Sequence, residues 1–357
     1  MRCWHLNLSY LHHFVPIGGR KGLEEFMARR RRCRYSGIGG QAVLEGIMMK
    51  NKDRYAVAVR RQDGGIAVEI DHFRGILGGS ILNRILFVRG IFNFIDSLVL
   101  GMKALNYSAS FYEEEDSDSG KKPGRGAGDK ILNALVTVFA VAMAVGIFVV
   151  LPYYLTSRLE GTLRNRSLMN IIEGGMRIVI FLLYVVGISI MKDIRRLYRY
   201  HGAEHKCINC IERGRPLTVK NVMRSSRLHK RCGTSFIFFV FIVSIILFFF
   251  IQVESPVYRV LLRILLLPVV AGISYEIIRL AGRSDNIFVK IISAPGMAVQ
   301  RMTTKEPDRD MVEVAIAAVE AVFDWKGYLK ENFGYEDETE KAERDSAEES
   351  GGQTERA

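Results

Sequence analysis

The segment Tyr200-His201-Gly202-Ala203-Glu204-His205-Lys206 concentrates residue types that can do chemistry. Two imidazoles stand four residues apart with a carboxylate between them, an H-x-x-E-H pattern. On a helix, positions i, i+3 and i+4 share one face. Both rings can then grip one metal ion, and Glu204 can act as general base on a water activated there. This inverts the H-E-x-x-H arrangement of zinc hydrolases. Catalytic zinc needs three protein ligands and an open position. Candidates for the third are His229 and Cys232, within Leu228-His229-Lys230-Arg231-Cys232, and Glu276, further along the chain. Cys207 and Cys210 add a C-x-x-C beside the motif. A competing reading is a closed structural zinc site made of His205, Cys207, Cys210 and Cys232, with no place for water. A Glu204→Gln change separates the two: it keeps metal but stops hydrolysis in the first, and is nearly silent in the second.

Several elements must position these residues. The chain has 357 residues and a net charge of +12. Strongly apolar runs alternate with basic ones, which excludes a simple soluble enzyme and a wholly disordered chain. Residues 131–155, 171–191, 236–253 and 257–280 are each long and apolar enough to span a bilayer. The segment 192–235 between the second and third spans holds twelve Lys and Arg against three acids. By the positive-inside rule this loop is cytoplasmic, and so are both termini. Before the spans, alternation in 55–61 and 66–70 with Asp63-Gly64-Gly65 between them predicts a hairpin. The fold expected is an α-helical polytopic membrane protein with a small N-terminal β-meander and four to five membrane helices.

The organisation expected is a basic arm over 1–36, the β-meander over 37–75 and an interfacial or re-entrant helix over 76–110. A linker (111–130), a four-span domain (131–292), a C-terminal segment and helix (293–334) and an acidic tail (335–357) follow. Glu24-Glu25 can be encoded as a ribosome-binding sequence, which makes Met27 the expected start. Arg89 is expected to pair with Asp96 if its helix crosses the membrane, and Arg263 to snorkel to the interface. Pro295-Gly296 reads as a turn, and Asp308 as the cap of one amphipathic helix over 309–332. The odd cysteine count, five, argues against a disulfide framework.

Six motifs in order resemble the YqhQ-like bacterial membrane family, domain of unknown function 1385. They are GGQAVLEGIMM (39–49), LVLGMKALNYSA (98–109), YHGAEHK (200–206), RCGTSF (231–236), SYEIIRLAG (274–282) and PG-x-x-x-Q-R-x-TT-x-EPD (295–308). Members carry the label of predicted metal-dependent enzymes. Carried over by position, the resemblance implies a metal site at His201, Glu204, His205, His229 and Cys232. The family usually has proline at the position of Lys230, and commonly lacks cysteine at 207 and 210, which weakens the C-x-x-C clip.

Three functions are therefore expected, in order. The first is a zinc-dependent hydrolase acting on a peptide or lipid-like substrate at the cytoplasmic membrane. Next is a non-enzymatic membrane-biogenesis factor whose 192–235 loop meets ribosomes or anionic lipid. The last is a transporter using Glu276 and Arg263.

Overall fold

The computed structural model describes residues 33–336 apart from 77, 79, 81–84, 114–126, 160–164, 252, 254, 284 and 285. Met27, nearly all of the basic arm and acidic tail, and residues 114–126 of the linker fall outside the described residues, while 111–113 and 127–130 belong to helices.

Four strands, β1 (Gly39–Val43), β2 (Gly46–Asn51), β3 (Arg54–Arg60) and β4 (Ile66–His72), form one antiparallel sheet in sequential order. Val43 faces Gly46 across a two-residue turn, and Asn51 faces Arg54 across another. Such turns need left-handed backbone, which Glu45 and Lys52 supply at φ 49° and 55°. Gly64, at φ 84°, lies in the turn that leads into β4.

The helices are α1 (Val88–Glu113), α2 (Ala127–Val145), α3 (Leu151–Ser157), α4 (Arg166–Ile188), α5 (Lys192–Glu212) and α6 (Val219–Met223). They continue with α7 (Gly233–Phe250), α8 (Pro256–Arg283), α9 (Ile287–Thr303), α10 (Arg309–Val322) and α11 (Trp325–Phe333). A π-helical turn, Gly146–Val150, joins α2 to α3.

Both faces of the sheet are covered, so β3 is buried at nearly every position rather than alternating. Ile47, Met49, Ala56 and Ala58 enter a core with Tyr200, Ala203, Ile208, Met311, Ala315 and Val319 of α5 and α10. Val43, Met48, Tyr55, Val57 and Val59 pack instead on Leu100 and Ala104 of α1. The result is a three-layer head.

Four helical segments are long and apolar enough to cross a membrane: Leu135–Ser157, Leu168–Ile188, Gly233–Phe250 and Val260–Gly282. With the sheet, they give the fold class expected from the sequence: this is a mainly helical membrane protein with an N-terminal antiparallel sheet. α4 and α7 run antiparallel, since Asn170 near the start of one donates to the Phe248 carbonyl near the end of the other. Arg231, just before α7, lies against Gly282 at the end of α8. One end of three spans therefore meets the head. α1 reaches below it: Gly90 lies against Gly272, ten residues before Gly282, or about 15 Å along the helix.

The structure corrects several local expectations. Arg89 pairs with Glu276 rather than Asp96, which instead accepts from the Ile76 amide. Arg263 does not snorkel; it is buried on Glu173. Span two and the helix that carries the motif are separate, because Met191 is extended and α5 starts afresh. Pro295 and Gly296 lie inside α9, where Gly296 allows close contact with Ser235. The last amphipathic helix is two helices, α10 and α11, and Asp308 bonds Arg199 instead of capping α10 with its side chain.

Candidate metal centre

α5 presents the motif on its buried face. The Gly202 position meets the Lys305 carbonyl oxygen so closely that only glycine fits. This contact brings the chain after α9 against His201, whose Nδ1 lies 3.0 Å from the Thr303 carbonyl oxygen. His205 Nδ1 lies 2.7 Å from the Arg227 carbonyl oxygen. A carbonyl only accepts, so each Nδ1 carries a proton, and Nε2 is the nitrogen that offers a lone pair once the ring is neutral. Backbone acceptors on the outer nitrogen are how proteins orient histidines toward a metal.

Cys232, the residue at the N-cap of α7, completes the arrangement. Its Sγ is 3.2 Å from His201 Nε2. Ligand atoms of His201, His205 and Cys232 all lie within 4.8 Å of one another. Donors around a tetrahedral zinc with bonds of roughly 2.0–2.3 Å stand about 3.5 Å apart, so small side-chain movements close the set. Glu204 sits beside it, with its carboxylate 3.9 Å from His201 Nε2. The centre is deeply placed: Glu204 and Cys232 are each 4% exposed and His205 1%.

Thiol and imidazoles of the centre are electrostatically coupled, and a metal ion would take the place of a proton on His201. Burial opposes ionisation of Cys232, but the imidazoles of His201 and His205 outweigh it and hold the thiol well below its ordinary range. Burial would lower His201, yet Cys232, Glu204 and the Thr303 carbonyl raise it to about 9. Burial pushes Glu204 up, against the two histidines and a hydrogen bond from the Gly40 amide. Thiolate and imidazole donors match zinc better than magnesium or calcium.

The other sequence-derived candidates are not part of this cluster, although the His229 ring lies 5.7 Å from that of His205. His229 directs Nε2 to Glu212, 3.3 Å away. Glu276 accepts from Nε and Nη2 of Arg89, at 2.6 Å each. Cys207 and Cys210 are buried free thiols, packed in the core shared with α10. Among the described residues the cluster is thus His201, His205 and Cys232, with Glu204 at its side.

Sequence reasoning missed the supporting shell. Residues 295–308, read as turn and cap, brace the back of the site. Gln300 exchanges hydrogen bonds with the His229 backbone and holds Ser235. The Thr304 carbonyl accepts from Arg227, and Glu306 pairs with buried Lys206. Glu212, also missed, gathers Arg231, His229 and the Ser36 amide and hydroxyl. The signal available was the density of polar residues around Gln300, Thr303 and Thr304, which have no reason to be buried unless they bond.

Fold and site together define a polytopic membrane protein whose sheet-and-helix head closes a His-His-Cys cluster at the ends of its spans. A family model described as "Protein of unknown function (DUF1385)" matches residues 85–325, and the chain belongs to that family. It is 36% identical over 288 residues to "Uncharacterized protein YqhQ" of Bacillus subtilis (strain 168), covering 78% of this chain and 89% of that protein. No solved structure matches.

Proposed function

We propose that this protein is a zinc-dependent hydrolase working at the cytoplasmic surface of the membrane, with both termini on that side. One observation carries the reading. Two imidazoles with their outer nitrogens committed to carbonyls converge with a thiolate, and a buried carboxylate stands beside them. His201, His205 and Cys232 would hold the ion. When bound, zinc supplies a Lewis acid and makes water acidic near neutrality. Glu204 accepts the proton; its raised pKa brings it toward the range in which a general base works best. Cys232 directly precedes a span, so the bond cut would belong to a membrane-bound peptide or lipid-like molecule.

The depth of the centre favours one second reading, a structural zinc site with Glu204 as fourth ligand. That site would fasten α5 to α7. Contact of the 192–235 segment with ribosomes or anionic lipid has less support, because Arg196, Arg199, Lys206, Arg227 and Arg231 are all paired within the fold.

Zinc analysis of detergent-purified protein tests both. His205→Ala and Cys232→Ala should lose a stoichiometric ion. Glu204→Gln should keep it with little change in affinity if the site is hydrolytic, and should weaken it at least tenfold if Glu204 is a ligand. Wild-type protein without zinc, even after loading, would end the proposal.

A further inference from the structure

A second charged cluster lies at the other end of the spans. Glu173 and Arg177 of α4 and Arg263 of α8 are all buried. Nη1 and Nη2 of Arg263 donate to the two carboxylate oxygens of Glu173, and Arg177 donates to one of them. Glu173 is the one carboxylate bonded to either arginine among the described residues. Two guanidiniums share one carboxylate, which leaves a net charge of +1. Arginine cannot release its proton to remove it. In the hydrocarbon region an unbalanced charge is costly. Arg177 Nε is moreover buried with no hydrogen-bond partner.

The place of the cluster says what can balance it. Glu173 is five residues from the start of its span at Leu168, and Arg263 is three from Val260. At 1.5 Å per residue these lie about 8 and 5 Å below the boundary. Arg177 is four residues deeper, but helical side chains lean toward the N-terminus, here toward Glu173 and that boundary. At that depth the cluster lies just inside the headgroup region, where a lipid phosphate can approach it. The Phe248 ring of α7 lies against the Arg263 guanidinium, which is 5.3 Å from the ring centroid, near the same end of the spans.

We infer that Arg177 and Arg263 form a site for the phosphate group of an anionic lipid in the leaflet opposite the head. The planar guanidinium matches phosphate oxygens, and such charge-assisted bonds are strong. The site is separate from the metal centre: Glu173 precedes Ile188, the head-side end of the span, by fifteen residues, about 22 Å.

Native mass spectrometry of the full chain in detergent tests this, with phosphatidylglycerol as probe. Phosphatidylcholine and inorganic phosphate are the comparison arms. Wild type should retain one phosphatidylglycerol in preference to phosphatidylcholine. Arg177→Gln should weaken that binding roughly tenfold or more, the loss of one charge-assisted contact. Glu173→Gln removes the internal competitor and should strengthen it. If Glu173→Gln fails to fold, Arg177→Gln decides, because it removes the least-bonded member. Equal retention of both lipids, or unchanged binding by Arg177→Gln, overturns the inference. Protection by inorganic phosphate as strong as by the lipid would overturn the lipid assignment and leave a free-phosphate site.

Discussion

Gly202→Ala is a one-atom test of how the motif is held. A Cβ at this position would stand 2.0 Å from the Lys305 carbonyl oxygen. Ordinary carbon–oxygen contacts are about 3.3 Å or longer. α5 and the chain after α9 must therefore separate by more than about 1 Å. Two of the bonds that cross that seam are His201 Nδ1 to the Thr303 carbonyl at 3.0 Å and the Lys305 amide to the Tyr198 carbonyl at 2.9 Å. Both would stretch beyond hydrogen-bonding range. Losing them costs about 1 kcal/mol each, and overpacking adds about 1–3 kcal/mol. Better helix propensity returns about 1 kcal/mol, leaving a net loss of about 2–4 kcal/mol. His201 would also lose its orienting acceptor, which typically weakens metal binding by about 10–100-fold. The assays are thermal melting in detergent and zinc competition against a chromogenic chelator. Gly187→Ala serves as control, because nothing lies within 4 Å of its added carbon. If Gly202→Ala melts and binds zinc like the wild type, the close packing of α5 on Lys305 does not hold the site and the reasoning fails.

Three further outcomes follow from the same geometry. Glu276→Gln should leave zinc content unchanged while costing about 1–3 kcal/mol, because half-buried Arg89 loses a charge-assisted bond; Arg89→Met with Glu276→Met should recover much of this. Zinc loss in Glu276→Gln would restore that residue as a ligand. For Glu212, burial alone would raise the pKa, but His229, Arg231 and the Ser36 amide bring it down to about 2. A depressed carboxylate stabilises above its ordinary pKa of 4.5, and that contribution disappears as pH falls through about 2. It amounts to roughly 3 kcal/mol, so Glu212→Gln should melt lower at neutral pH and show a flatter stability profile between these values. An unchanged profile would show that Glu212 is not ionised in the folded head. Cys207→Ala should keep its zinc and cost roughly 1 kcal/mol of packing; a variant stripped of metal would revive the C-x-x-C clip.

What the sequence showed was whatever depends on short range. Span-length apolar runs need no partner to be recognised, and the hairpin at Asp63-Gly64-Gly65 is a local backbone requirement. The shared face of His201, Glu204 and His205 follows from helix geometry alone. Distant pairings were not legible. Arg89 and Glu276 are 187 residues apart, and Asp96 offered Arg89 a nearer acid. Pro295-Gly296 has the composition of a turn, but its glycine serves contact with Ser235 instead. The choice of Cys232 over His229 was equally closed to inspection. It depends on Glu212, seventeen residues upstream of His229, accepting that ring and so turning it from the cluster.

The position of Cys232 makes the membrane part of the centre. Two donors belong to a head helix whose far face is packed on the sheet and α10, and the third caps a membrane span. The acceptors behind the histidines come from yet other segments, Arg227 before α7 and Thr303 at the end of α9. An ion held by His201, His205 and Cys232 would therefore tie the head to α7 directly. The carbonyls behind it would transmit any shift of α9 to His201. Gln300 reinforces the same link, bonding His229 ahead of α7 and Ser235 within it. Removing zinc should consequently loosen the seam between head and spans more than the sheet. Hydrogen exchange would place the gain at residues 227–236 and 300–305, with β2 and β3 still protected by their two-sided core. Uniform deprotection of sheet and seam would mean that the ion, if bound, stabilises the whole head and does not join two parts.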